Sequence, residues 1–274
     1  MKCFQDKTVL VTGAASGMGK ALTVRLTHLG AHVVATDVND DGLLRLADDC
    51  AGSAGSLRAQ RLDVTDKVAF TDLVEELAAD GLDYLFNNAG IGIVKEVKDT
   101  TDEEWQRTMA VNQQGVLNGT LAAYDVMRRQ GSGHIVNTAS IAGLMPAPML
   151  TAYAMTKHAV LGLSLSLREE AKVYGVKVSA VCPGIVETNI VGADQMQRLQ
   201  LDGDDPFEFI RRKAHIKPIT ADQAAEYILK GVEKNQPEIV FPLHGRMAVA
   251  SFRNMRKVWE VAVAGGLKVM RNEG

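Results

Sequence analysis

A short apolar run from Thr8 to Val11 enters Thr12-Gly13-Ala14-Ala15-Ser16-Gly17-Met18-Gly19, and a helical pattern follows from Lys20 to Leu29, stopping at Gly30. Strand, glycine-rich turn and helix in that order are the context that turns a glycine motif into a phosphate site. Glycine lets backbone approach a pyrophosphate closely, and the helix N-terminus offers free N–H groups and a partial positive charge. Gly13, Ser16, Gly17, Met18 and Gly19 are therefore candidate cofactor contacts. The spacing is G-x-x-x-G-x-G, distinct from G-x-G-x-x-G. A tight turn alone seldom needs so many glycines.

The next strand, His32 to Thr36, ends at Asp37. A carboxylate there can accept hydrogen bonds from both adenosine ribose hydroxyls and would repel a 2′-phosphate, which argues for NAD over NADP. Ser16 agrees, since no basic side chain stands at that point of the turn. A turn-initiating Asp is the plainer alternative. A third strand, Arg58 to Leu62, leads to Asp63-Val64, where the carboxylate either meets an adenine amino group or caps a turn. Lys67 to Ala79 has the apolar spacing of an amphipathic helix. Asp83 to Phe86 then enters Asn87-Asn88-Ala89-Gly90, where small residues let a ribose pass.

Thr101 to Glu104 is a capping box opening a helix. Asn112 sits in the middle of the helical stretch that follows, at a cost of a few tenths of a kcal/mol, which hints at a kink or a bound water. A solvated Asn is the default expectation. His134 to Thr138 is the fifth strand and delivers Ser140 at its end. Lys177 to Val181 is the sixth, running into Cys182-Pro183-Gly184-Ile185-Val186-Glu187-Thr188, and Glu238 to Phe241 is the seventh. This alternation predicts an α/β fold, a doubly wound parallel sheet of about seven strands in one domain, with ligands at the strand C-terminal ends.

Tyr153 and Lys157 stand at i and i+4, one turn apart on one helix face. An ammonium beside a phenol favours the phenolate and lowers a pKa that is ordinarily about 10. Tyr153 is then expected to exchange a proton near neutral pH, with Ser140 reaching the same substrate oxygen.

The series TGAASGMG, Asp63-Val64, NNAG, Asn112, Ser140, YAMTK and PGIVET resembles the short-chain dehydrogenase/reductase family in order and spacing. The resemblance covers roughly the first nine-tenths of the chain. It implies a Rossmann-type fold, Tyr153 as general acid/base, and Lys157 lowering its pKa and binding the nicotinamide ribose. Ser140 would polarise the substrate oxygen and Asn112 would hold a water linking Lys157 to solvent. Asn88, Ala89 and Gly90, with Pro183, Gly184, Val186 and Thr188, would complete the cofactor site. Gln113, Met155 and Thr156 depart from the family pattern in ways that alter pocket lining rather than chemistry.

The expected activity is hydride transfer between a secondary alcohol, or its ketone, and NAD. The apolar loop Leu144 to Leu150, with two Met and two Pro, suits a bulky hydrophobic, hydroxysteroid-like or lipid-like substrate. A 3-ketoacyl-thioester reductase is the alternative. A non-catalytic NAD-sensing regulator is a third reading, although it would be expected to lose Tyr153 or Lys157.

The formal charge of −3 gives no reason to expect nucleic acid as partner. Three widely spaced cysteines, Cys3, Cys50 and Cys182, make a disulfide framework or a metal site unexpected. The N-terminus runs straight into a strand without an apolar signal core, and a cytoplasmic protein is expected. Residues 189–217 should form a lid over a catalytic domain of residues 1–245. Residues 246–274 mix basic and apolar positions in an amphipathic tail. Such a tail covers the lid or a neighbouring subunit more often than a membrane surface. A homotetramer or homodimer follows from the family resemblance.

Overall fold

The computed structural model describes residues 1–188, 190 and 217–270. The proposed lid, apart from residues 190 and 217, lies outside them.

Seven parallel strands form one sheet: β1 (Thr8–Thr12), β2 (His32–Asp37), β3 (Ser56–Arg61), β4 (Tyr84–Asn87), β5 (Gly133–Thr138), β6 (Val176–Pro183) and β9 (Glu238–Phe241). Their order is β3-β2-β1-β4-β5-β6-β9. The direction of winding reverses between β1 and β4, the switch point where open α/β sheets bind ligands. A separate two-stranded ribbon pairs β7 (Val186–Glu187) with β8 (Ile219–Thr220).

The strands alternate side chains between two cores because successive Cβ atoms point to opposite faces. Val9, Val11, Val33, Ala35, Phe86, Val136 and Val181 pack on one side with α1 (Gly17–His28), α2 (Asp40–Asp49) and α7 (Ala221–Glu233). Leu10, Val34, Leu85, Ile135 and Val178 face the other side, against α3 (Lys67–Ala78), α5 (Val116–Gln130) and α6 (Thr151–Ala171). Burial on both faces explains why these strands read as near-continuous apolar runs.

The helix starts follow the local chemistry. Asp66 accepts from the backbone N–H groups of Val68 and Ala69 to open α3. Thr101 and Glu104 form a reciprocal capping box on α4 (Asp102–Met109). Thr220 and Gln223 do the same on α7. The Arg25 guanidinium of α1 forks onto both oxygens of Asp222 at 2.6 Å, clamping α1 to α7.

The expected solvated Asn112 is corrected here. Residues Ala110–Gly115 form a π-helical turn between α4 and α5, and Asn112 is fully buried within it. The mid-helix asparagine does mark a distortion, as its unfavourable propensity hinted. Its amide turns inward, however, to hydrogen-bond the Ile91 backbone and the Thr156 hydroxyl.

Past β9 the chain forms α8 (Leu243–Asn254) and α9 (Arg256–Met270). Val249 of α8 is buried in a third core with Ala139, Leu144, Val160 and Cys182. Phe252 and Trp259 join the two helices edge to face, ring centroids 5.0 Å apart. Among the described residues no helix is long and apolar enough to cross a membrane.

Candidate active site

A cleft of about 500 Å³ opens at the C-terminal ends of β1, β2, β3 and β4, lined by residues that include Gly13, Ser16, Gly17, Met18, Asp37 and Asp63. Its floor requires glycine. Gly13 has φ +67°, and a Cβ there would lie 2.7 Å from the Ala89 Cα. At Gly19 a Cβ would lie 2.0 Å from the Gly13 carbonyl oxygen. α1 therefore sits against the turn closely enough to aim its N-terminus into the cleft. Ser16 is its N-cap but makes no side-chain capping bond, so the first-turn N–H groups keep their capacity to bind an anion.

Asn88 secures this turn. Its side-chain amide donates to the carbonyls of Thr12 and Gly13 at 3.1 and 3.3 Å. Its backbone N–H and that of Ala89 donate to the Thr12 hydroxyl at 3.0 and 3.1 Å. Among the described residues the buried Asn88 Oδ1 has no partner. An orphaned acceptor beside a glycine cradle is what a dinucleotide site would present, and the residues present fit such a group.

Asp37 lies at the end of β2 with both oxygens placed by backbone, Oδ2 accepting from Ala15 N–H and Oδ1 from Asn39 N–H, each at 3.0 Å. Each oxygen keeps a second lone pair for a ribose hydroxyl. The neighbouring Arg61 guanidinium is engaged by Asp40 and the Val38 carbonyl. Asp63 is an exposed carboxylate on the cleft wall, held by Thr65 N–H and Oγ1 at 2.9 and 2.8 Å. It therefore makes the local turn and also lines the cleft. Val64 beside it is buried, and its carbonyl accepts from Asn118 Nδ2 at 3.0 Å.

The second half of the site forms where β5 ends. Ser140 caps a short 3₁₀ turn, its Oγ accepting from Ala142 N–H at 3.1 Å. Tyr153 and Lys157 descend from the first turns of α6, with the Lys157 Nζ 5.4 Å from the Tyr153 ring centroid. The Lys157 side chain is 1% exposed, and its ammonium donates to the Thr138 carbonyl at 2.7 Å. A Cβ on Gly90 would lie 3.5 Å from the same Nζ and 3.3 Å from Asn112 Oδ1. Gly90 therefore leaves a gap between amine, amide and cleft.

The electrostatics correct one expectation. Burial pushes the Tyr153 phenol up to about 12, against a smaller downward pull from its hydrogen bond with Ser140. Burial also pulls Lys157 down to about 8. Desolvation is the leading cause at both groups. The lysine is still predominantly cationic at pH 7. The nearby Cys182 thiol is buried and pushed up to about 12, which keeps it a thiol.

Asn112 is gripped in both directions by Ile91, donating to its carbonyl and accepting from its N–H at 2.8 Å each, and it donates to Thr156 Oγ1 at 3.3 Å. The π-helical turn aims this amide at the strap 91–95. That strap also donates from Gly92 N–H to the Ile190 carbonyl and from Lys95 N–H to the Met149 carbonyl, both at 2.8 Å. Met149 adopts φ +66° in the apolar loop after Ser140.

Pro183 ends β6 and accepts from the Ser140 hydroxyl at 3.5 Å. Gly184 donates to the Phe241 carbonyl at 2.7 Å, Val186 is buried, and Thr188 meets Gly17 across the cleft mouth. Gly245 of α8 packs on Gly184, where a Cβ on either residue would lie 3.5 Å from the other's Cα. The residues named from the sequence thus lie along the C-terminal ends of the strands from β3 to β6 and on the elements that follow them. Arg107, Ala110 and Val111 line the same cleft but were not among them. Their i, i+3, i+4 spacing across a capped helix was the available signal.

Fold and site together define an α/β oxidoreductase with a dinucleotide-type crevice and a Ser-Tyr-Lys cluster. The profile of the family described as short chain dehydrogenase matches residues 7–198, and the chain belongs to that family. The probable oxidoreductase EphD of Mycobacterium tuberculosis (strain ATCC 25618 / H37Rv) is 34% identical over 85% of this chain, which spans only 40% of that protein's length. The cyclopentanol dehydrogenase of Comamonas testosteroni is 37% identical over 72% of this chain and 81% of its own. A short-chain dehydrogenase/reductase from Burkholderia phymatum, solved in complex with NAD, superposes with a TM-score of 0.80 at 26% identity, covering 93% of this chain and 95% of that one.

Proposed function

We propose that this oxidoreductase moves a hydride between NAD and a secondary alcohol or its ketone, on a bulky, apolar substrate. The observation that carries this reading is the convergence of Ser140, Tyr153 and Lys157 beside a glycine cradle, with Asp37 at the far end of the same crevice. A relative named as a cyclopentanol dehydrogenase and a structural neighbour holding NAD support it.

In the reducing direction Tyr153 donates its phenolic proton to the substrate oxygen, and in the oxidising direction the phenolate accepts it. Ser140 donates a hydrogen bond to the same oxygen as negative charge develops there. The Lys157 ammonium, steadied by the Thr138 carbonyl, stabilises the phenolate and offers its remaining protons to the nicotinamide ribose. Asn112 holds the strap at Ile91 and, in this reading, a water that relays protons from Lys157. When bound, a nicotinamide would give the hydride to the ketone or take it from the alcohol. Asp37 would take both ribose hydroxyls, and the loop Leu144–Leu150 would line the substrate pocket.

In the same reading residues 1–245 carry catalysis, residues 189–217 act as a lid and residues 246–274 form an appended tail. The protein works in the cytoplasm as a homodimer or homotetramer. Tyr153→Phe is expected to lose at least 100-fold in kcat while binding NADH unchanged by fluorescence titration. Near wild-type turnover in that variant would end the proposal. A screen of NADH oxidation against steroid ketones, cyclic ketones, long-chain ketones and acyl thioesters identifies the substrate class. A preference for acyl thioesters would favour a ketoacyl-thioester reductase instead.

A further inference from the structure

Arg107 has no role in the reading above, and its position gives it one. It lies on α4 at i−3 and i−4 from Ala110 and Val111, and all three line the cleft that holds Asp63, Val64 and Thr65. The helical stretch carrying it is fastened to the end of β3. A Cβ on Gly115 would lie 2.6 Å from Val64 Cγ2, and Asn118 donates to the Val64 carbonyl at 3.0 Å. In the strand order, β3 and β2 form the flank of the sheet that carries Asp37. Arg107 therefore stands with Asp63 and Val64 at the end of the crevice assigned to the adenosine.

The guanidinium is exposed. Among the described residues no carboxylate lies within ion-pair distance of it and no hydrogen-bond acceptor engages it. The basic side chains nearer the β2 and β3 ends behave differently: Arg58 is forked onto Glu76 and Arg61 onto Asp40. A planar cation left unengaged beside the apolar side chains Leu62, Val64, Ala110 and Val111 of the cleft, with the Asp63 carboxylate on its wall, matches the face of an aromatic base.

We propose that Arg107 is a cofactor-positioning residue that lies over the adenine ring and closes the adenosine end of the crevice. This inference rests on the dinucleotide reading of the cleft. It differs from the other use of an arginine there, which is to neutralise a 2′-phosphate. Asp37 opposes that use, because its carboxylate at the end of β2 would repel a second negative group.

The test measures binding rather than turnover. Isothermal titration of AMP, NADH and 2′,5′-ADP is carried out on the wild-type chain and on Arg107→Ala and Arg107→Lys. Because Arg107 is exposed, neither substitution removes a packed side chain. AMP and NADH are expected to bind about fivefold to tenfold more weakly to Arg107→Ala. Arg107→Lys should recover less than half of that loss, because an ammonium lacks the planar surface. Unaltered AMP affinity in Arg107→Ala, or a loss confined to 2′,5′-ADP, overturns the proposal. Full recovery by lysine, with a loss that vanishes at high salt, also overturns it by reducing Arg107 to a long-range charge. If the wild-type chain binds none of the three ligands, the dinucleotide reading fails first and this inference with it.

Discussion

At the scale of single residues, Lys157 shows how a site can be legible in part. Its spacing from Tyr153 reads directly as a shared helix face, and the amine does stand over the ring. Depth is what one sequence cannot display: Lys157 is buried and Tyr153 half-buried, and desolvation is the leading influence on the protonation of each. With Lys157 near 8 and an unfolded lysine near 10.4, the folded chain binds fewer protons across that window. Stability therefore rises as pH climbs from about 8 to about 10.4, and below 8 the buried ammonium weakens the fold by roughly 3 kcal/mol. Lys157→Met should accordingly raise the Tm of the cofactor-free protein at pH 7 by a few degrees while abolishing turnover. The gain is limited because the Thr138 carbonyl loses its donor. A lower Tm in differential scanning calorimetry would contradict this account. Tyr153 supplies a second check. Its phenol is the dominant form far above neutrality, so alcohol oxidation, which needs the phenolate, should accelerate steadily from pH 7 to 10. Ketone reduction, which needs the phenol, should not. Initial rates in both directions distinguish this from a phenol ionising near pH 7, which would give a flat oxidation profile over that range.

At the scale of elements, strands and capped helices were visible because their signals are local. The expected third strand began two residues late and the sixth ended two residues early, while Glu238–Phe241 matched in full. The capping box at Thr101 located a helix start, since its reciprocal hydrogen bonds need only residues three apart. The π-helical turn was half visible. Asn112 signalled a disturbance, but its partner Ile91 lies 21 residues away in sequence, beyond any periodicity. Arg107 was missed for the same reason: its helix looks like an ordinary solvated face until α4 is laid along the crevice. Removing the amide with Asn112→Leu leaves the Ile91 carbonyl and N–H without partners. The expected cost is about 2–3 kcal/mol in urea denaturation together with a loss of at least tenfold in kcat, larger than for Asn118→Leu. Equal effects from the two substitutions would show that the π-helical turn has no special link to the site.

At the scale of the whole molecule, the sheet order accounts for the crevice, and alternating strand faces account for the two cores. The glycine turn joins these levels. Gly19→Ala would press a methyl onto the Gly13 carbonyl, a contact that backbone must yield to. A loss of about 2–3 kcal/mol in folding stability is expected, along with weakened NADH binding, both measurable by titration and melting. What the sequence could not reveal at this scale is the path of the chain after β9. The basic and apolar pattern beyond Phe241 suits an appended tail, yet the first of its helices buries Val249 among Ala139, Leu144 and Cys182. That burial depends on which strand ends meet in space, and no local pattern encodes it.

The contact between Gly184 and Gly245 bears on how this protein should be handled in the laboratory. Two backbones touch there without an intervening side chain, so strain at the C-terminal helices has a short route to the peptide that follows β6. A purification handle or reporter fused behind α9 is therefore expected to disturb substrate turnover, whereas the same fusion placed ahead of Met1 should leave it intact.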